Sequence, residues 1–191
     1  DTGFGLEYES FYDRFPYNIM KYFIKTKMSK EEAAASLIQR IGLQPEDIGW
    51  VIASHLHHDH VGGLNDFPNA TVVMSENEWQ DGQFGGFFSQ IFRGYIRDQY
   101  INVANRLQLV NFEALPAQEG FAHSYDLFGD GSLKLLDTSG HTAGHLSLLI
   151  TLKSGKQIFA VGDAAYTVEN YRSLKRAGWL FRALLKQDPP K

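Results

Sequence analysis

A mixed α/β protein is predicted by three features of the chain. Short apolar runs suited to strands recur along it, helix-capping signatures fall between the runs of the first half, and side chains of metal-binding type collect where strands end. The opening segment, from Phe4 to Phe23, is aromatic without a clean period and is interrupted by Gly3, Gly5 and Pro16. Ser29 followed by Glu32 is a capping box, and the spacing predicts a helix from Ala33 to Ile41 that ends at Gly42, with Pro45 just beyond. Trp50-Val51-Ile52-Ala53-Ser54 reads as a buried strand, and Ala70 to Met74 as the next one. Ser75 and Glu78 form a second capping box, opening a helical stretch interrupted at Gly82, Gly85 and Gly86.

Strands dominate the second half. Leu107 to Phe112, Leu133 to Thr138, Leu146 to Leu152 and Gln157 to Val161 are expected strands, with turn signals at Gly129-Asp130-Gly131 and Ser154-Gly155. Val168 to Gln187 reads as a helix weakened by Gly178. No repeat or low-complexity linker breaks the chain, so residues 1–191 are expected to form one domain or part of one.

Composition narrows the function. A chain of 191 residues with 43% hydrophobic content is long enough for a substantial core. A net charge of −4 and no Lys/Arg run argue against a large basic surface for nucleic acid, while leaving room for a local phosphate site. With no cysteine, a bound metal must be held by nitrogen and oxygen. No run of about 18 apolar residues and no charged-then-apolar leader is visible, so neither a membrane span nor a signal peptide is expected. That favours a cytoplasmic location, although the chain opens at Asp1 without methionine and a leader could precede it.

The most informative string is His55-Leu56-His57-His58-Asp59-His60, which gathers four of the seven histidines and an aspartate just past an expected strand. Neutral imidazoles suit zinc, iron and nickel, and a carboxylate adds charge and a second type of donor. Ser139-Gly140-His141-Thr142-Ala143-Gly144-His145 follows another strand, and Asp163 ends Ile158-Phe159-Ala160-Val161-Gly162-Asp163. Loops leaving rigid strands are where sites are built, so the three strand ends point to one convergent metal site.

His-x-His-x-Asp-His, then Gly-His-Thr-x-Gly-His, then Gly-Asp, in this order, resembles the metallo-β-lactamase superfamily. The match runs from Asp1-Thr2-Gly3 to Asp163-Ala164-Ala165-Tyr166. The resemblance implies a four-layer αββα sandwich with metals at one edge, where the loops meet. It implies that His55, His57 and His141 hold one metal, Asp59 and His60 a second, and that Asp163 bridges them. His58 takes the family's variable position and reads as an outer or pocket residue, while His145 and Asp1 read as hydrogen-bonding residues behind the ligands. His123 matches nothing in the pattern. The cofactor implied is zinc, two per chain in the complete protein, with iron as the alternative metal.

Tyr166, in the context Asp-x-x-Tyr, resembles the N-acyl homoserine lactonase branch. Its hydroxyl is expected to meet a developing oxyanion and Asp59 to shuttle a proton, around two metals roughly 3.5–4 Å apart that activate water near neutral pH. The expected reaction is hydrolysis of a lactone or related ester, with a small acyl molecule as substrate and neither nucleic acid nor membrane as partner. Phe84, Phe87, Phe88, Ile91, Phe92, Tyr95 and Ile96 recur at helical spacing. With the aromatics of residues 4 to 23 and His58 they line an acyl-chain pocket, the alternative being one packed helix face and a covering loop.

Two departures stand out. Family members supply one further histidine to the second metal, and here none follows His145; the chain also begins at a turn the family reaches only after its first strands. Both ends therefore look cut, and an internal fragment is expected, the alternative being a complete protein with a degenerate second site. A glyoxalase II-like thioesterase, a β-lactamase, a persulfide dioxygenase with one iron and a non-catalytic zinc-binding module share enough of the motif to compete. Flavodiiron relatives fit less well, since they carry glutamate where this chain has His57.

Overall fold

The structure is a computed structural model that describes residues 1–22, 25–84, 87–117 and 123–173. The chain divides into two compact units, Asp1–Met74 with Gly82–Gln108 and Ser75–Asp81 with Leu109–Lys191.

In the first unit, helix α1 (Tyr8–Asp13) buries Tyr8 and Tyr12 against Tyr17, Met20 and Ile96, so these three tyrosines of the opening aromatic segment are core, while Phe15 and Tyr22 are exposed. The Ser29/Glu32 capping box forms as expected, but it closes a 3-10 turn over Lys30–Glu32. Ala33 is extended there, so the helix proper, α2, spans only Ala34–Gln39. Gly42, at φ 87°, ends this segment, with its own N–H bonded to Gln39 O and that of Leu43 to Ile38 O. That arrangement has the left-handed residue and the paired bonds of a Schellman stop.

Strand β1 (Trp50–Ile52) pairs in parallel with β2 (Thr71–Ser75), Val51 facing Val72 and Ile52 facing Val73. A parallel pair needs a crossover connection. Here the crossover carries the first histidine cluster, with helix α3 over His58–Val61. Helix α4 (Glu76–Gln83), helix α5 (Phe87–Phe92) and strand β3 (Leu107–Val110) follow, the strand lying beside β2 in the order β1-β2-β3. The expected strand to Phe112 stops at Val110 because the Asn111 side chain accepts the Ala114 N–H and turns Phe112–Ala114 into a 3-10 turn.

The second unit holds an antiparallel meander, β4 (Ser124–Asp126), β5 (Leu133–Asp137), β6 (Leu146–Thr151) and β7 (Gln157–Ala160), in that order. Leu133 faces Ile150 and Asp137 faces Leu146, which puts Leu135, Leu136 and Leu146 in the buried layer. The Asp126 carboxylate accepts the N–H groups of Gly129 and Gly131 and holds the β4-β5 turn. Helix α6 is described over Val168–Ser173, and the rest of the helix expected to Gln187 lies outside the described residues. Among the described residues, no helix is long and apolar enough to cross a membrane.

Candidate functional site

The first histidine cluster is organised from one carboxylate. Asp1 accepts the Ser54 N–H at 2.7 Å and the Ser54 hydroxyl at 2.8 Å, and its Oδ2 also lies 2.9 Å from His60 Nδ1. A serine has one hydroxyl proton, and Ser54 gives it to Asp1. Its oxygen must then accept from His55 Nδ1, 3.0 Å away. An ionised carboxylate only accepts, so His60 Nδ1 carries a proton as well. Both rings are thereby fixed in the tautomer that keeps the lone pair on Nε2, the nitrogen a metal would take.

His55 is fully buried, and its Nε2 lies 2.9 Å from His57 Nδ1. With His55 Nε2 as acceptor, His57 Nδ1 donates. A divalent ion replaces such a shared proton and takes both lone pairs, so the donor set fits a metal without rearranging either ring. Asp59 is exposed, its Oδ2 3.9 Å from His60 Nε2.

Backbone contacts lock the cluster. Thr2 donates from both N–H and hydroxyl to His60 O and accepts the Gly63 N–H. A Cβ on Gly62 would stand 2.2 Å from Phe4 O, and one on Gly5 would stand 2.4 Å from Gly62 O. Only glycines permit this approach. On the other side, Gly94 accepts the His58 N–H, and a Cβ there would come within 3.1 Å of the His57 ring, against which Tyr95 also packs.

His58 is buried, with Nδ1 2.5 Å from the Tyr12 hydroxyl. Burial lowers the His58 pKa and raises that of Tyr12, with Asp59 opposing the first effect and reinforcing the second. Both groups are neutral near neutral pH and share this one hydrogen bond. Of the expected pocket phenylalanines, Phe84 is 68% and Phe92 77% exposed. Ile91, Tyr95 and Ile96 of the same stripe turn inward. The side chains of Phe87 and Phe88 lie outside the described residues.

In the second unit, His141 Nε2 lies 3.3 Å from Asp163 Oδ2. Two ligands at about 2.0–2.1 Å from one tetrahedral ion are separated by roughly 3.4 Å, so this pair fits a shared metal as it stands. The Tyr166 hydroxyl is 2.8 Å from His141 Nδ1. His145 is fully buried and accepts the Asp163 N–H at its Nε2, 3.1 Å. Its proton therefore sits on Nδ1, pointing at Thr138 Oγ1 2.8 Å away. From Thr138 the donors run on to the Ser147 hydroxyl at 2.8 Å and then to Val161 O at 3.0 Å. Every hydroxyl in this chain has one consistent direction, and its end positions the backbone just before Asp163. His123, which matched no motif, bonds Leu115 O through Nδ1.

Sequence reasoning did not find Ser54, Tyr12, Gly94, Thr138, Ser147 or the use made of Glu78. The Glu78 N–H donates to Ser75 Oγ at 3.0 Å, and its carboxylate Oε2 accepts the Thr142 hydroxyl and the Gly144 N–H.

Within the first unit His55 and His57 offer metal-binding nitrogens side by side, and within the second His141 and Asp163 offer a nitrogen and a carboxylate oxygen. Residues 1–189 match the family model of the metallo-beta-lactamase superfamily. The chain belongs to this superfamily. Its mixed α/β fold is the metallo-β-lactamase fold that the motifs implied.

Among its relatives, the N-acyl homoserine lactonase AttM of Agrobacterium fabrum (strain C58) is 33% identical over 153 residues, covering 80% of this chain and 55% of that protein. An N-acyl homoserine lactonase of a Bacillus species is 32% identical over 149 residues, 77% of this chain and 50% of its own length. The solved N-acyl homoserine lactone hydrolase with N-hexanoyl-L-homoserine bound at its catalytic metal centre aligns with a TM-score of 0.63 at 25% identity, over 84% of this chain and 57% of that one. The chain spans about half the length of the relatives it matches.

Proposed function

We propose that the protein containing this chain is a metal-dependent hydrolase that opens N-acyl homoserine lactones. The observation that carries the reading is the tautomer control of the histidines. Asp1 and Ser54 set His55 and His60 with Nε2 as electron-pair donor, and Asp163 lies at ligand spacing from His141. The two lactonases at 32–33% identity support the substrate class.

In this reading His55, His57 and His141 hold one metal, Asp59 and His60 contribute to a second, and Asp163 bridges. The nitrogen and oxygen donors suit zinc, and two ions, when bound, supply Lewis acidity for the lactone carbonyl and an activated water near neutral pH. The remaining work falls to side chains. With Nε2 of His141 committed to the metal, its Nδ1–H donates to Tyr166 Oη at 2.8 Å. The phenolic proton of Tyr166 is then directed to the substrate oxygen on which negative charge develops. Asp59, exposed beside His60, takes the proton released as water adds to the carbonyl. It returns it to the alkoxide as the ring C–O bond breaks, giving an N-acyl homoserine.

The test is a substrate panel on metal-loaded protein: acyl lactones of short and long chain, a glutathione thioester and a β-lactam, with metal content measured in parallel. Lactone opening should dominate and should speed up as the acyl chain lengthens. Preference for the thioester or the β-lactam would remove the lactonase reading and keep the hydrolase one. No turnover of any of them by protein carrying two zinc ions would remove both.

A further inference from the structure

We infer that Glu78 is a positioning residue for His141, acting through Thr142 and Gly144 to fix the loop that presents this ring. The inference rests on the proposed role of His141 as a metal ligand. Glu78 is fully buried, and burying a carboxylate is costly unless its oxygens are well bonded. Its Oε2 accepts the Thr142 hydroxyl at 2.6 Å and the Gly144 N–H at 2.9 Å, on either side of Ala143 and immediately after His141. Before His141, the Gly140 N–H bonds Thr142 O at 3.0 Å, closing a tight turn around the histidine. The residue that receives this turn is therefore the one Glu78 holds.

The approach is close enough to be specific. A Cβ on Gly144 would stand 2.1 Å from Ser75 Oγ and 2.2 Å from Glu78 N, so the loop rests directly on the start of α4. Ser75 already caps that helix at the Glu78 N–H. Glu78 Oε2 reaches past its own helix to the histidine loop, as residues behind metal ligands do when they orient the ring and limit its motion.

The experiment uses the full chain as wild type, Glu78→Gln, Thr142→Val and Thr142→Ser. Zinc affinity is read by chelator competition, ligand geometry by the visible absorption of the cobalt(II)-loaded protein, and fold stability by thermal unfolding of the metal-free protein. Glu78→Gln and Thr142→Val should bind zinc roughly 10–100-fold more weakly and shift the cobalt band, the range found when partners behind metal ligands are lost. Thr142→Ser, which keeps the hydroxyl, should restore both. Thr142→Val keeps the size of the side chain and decides the matter if Glu78→Gln does not fold. Wild-type zinc affinity and an unshifted cobalt band in Thr142→Val would overturn the inference, as would a loss confined to metal-free stability. These outcomes remove Glu78 alone. A wild-type chain that takes up neither zinc nor cobalt removes the metal reading of His141 and the role of Glu78 with it.

Discussion

At the residue scale, ring chemistry is decided one bond behind each histidine. Asp1 controls two imidazoles, His60 directly and His55 through Ser54, while the Tyr166 hydroxyl meets His141. The Tyr166 contact allows two functions that differ in what they change. If the tyrosine serves only to hold His141, Tyr166→Phe should weaken metal binding and leave the chemistry of the loaded enzyme alone. If it also gives its proton to the developing oxyanion, the same variant should keep its metal and lose rate. We expect the second: kcat for lactone opening should fall roughly 10–1,000-fold, the upper end being the loss from one well-placed oxyanion donor, with zinc content unchanged. Steady-state kinetics beside metal analysis checks it, and a variant with wild-type kcat would confine Tyr166 to holding the ring.

At the element scale, the segment from Thr2 to Gly5 is clamped to Val61–Gly63 by backbone contacts that leave no room for side chains. Gly5 and Gly42 both have positive φ, so alanine at either pays the left-handed penalty of about 1–2 kcal/mol. At Gly5 the new methyl would also meet Gly62 backbone atoms at 2.4–2.6 Å, whereas at Gly42 nothing lies within 4 Å. Gly5→Ala should therefore shift the urea midpoint well beyond the shift caused by Gly42→Ala, and equal shifts would show that the clamp adjusts without cost. This contrast also marks where sequence reading stops. The strands around both histidine loops, the Ser29 capping box and the stop at Gly42 were legible because they depend on local patterning. The helix from Ala33 was not, because an extended Ala33 divides it. The reach of Glu78 to the second histidine loop was hidden for the opposite reason: Thr142 and Gly144 lie more than 60 positions away in sequence. Gly94 and Tyr12 were equally out of reach, since nothing near them in the chain marks their contacts with His57 and His58.

At the scale of the whole molecule, the donors come from distant stretches: His55 and His57 from the crossover after β1, and His141 and Asp163 from the ends of β5 and β7. The proposal requires them to serve one metal centre, and energetic coupling tests that requirement without any image of the bound ion. Sites that act independently contribute additively, whereas ligands of one ion are strongly non-additive, because the first removal already forfeits most of the binding. We therefore expect His57→Ala and His141→Ala each to lose most of the metal from the first position, and the double variant to lose little more than either alone. Asp163→Ala should lower occupancy at both positions, since a bridging carboxylate offsets the repulsion between two cations. His123→Ala, whose Nδ1 is taken by Leu115 O, should bind metal as the wild type does. Zinc affinities measured across this set settle the matter: additive losses from His57→Ala and His141→Ala would mean two separate weak sites, and the hydroxide, the oxyanion donor and the lactone would then have no common place to meet.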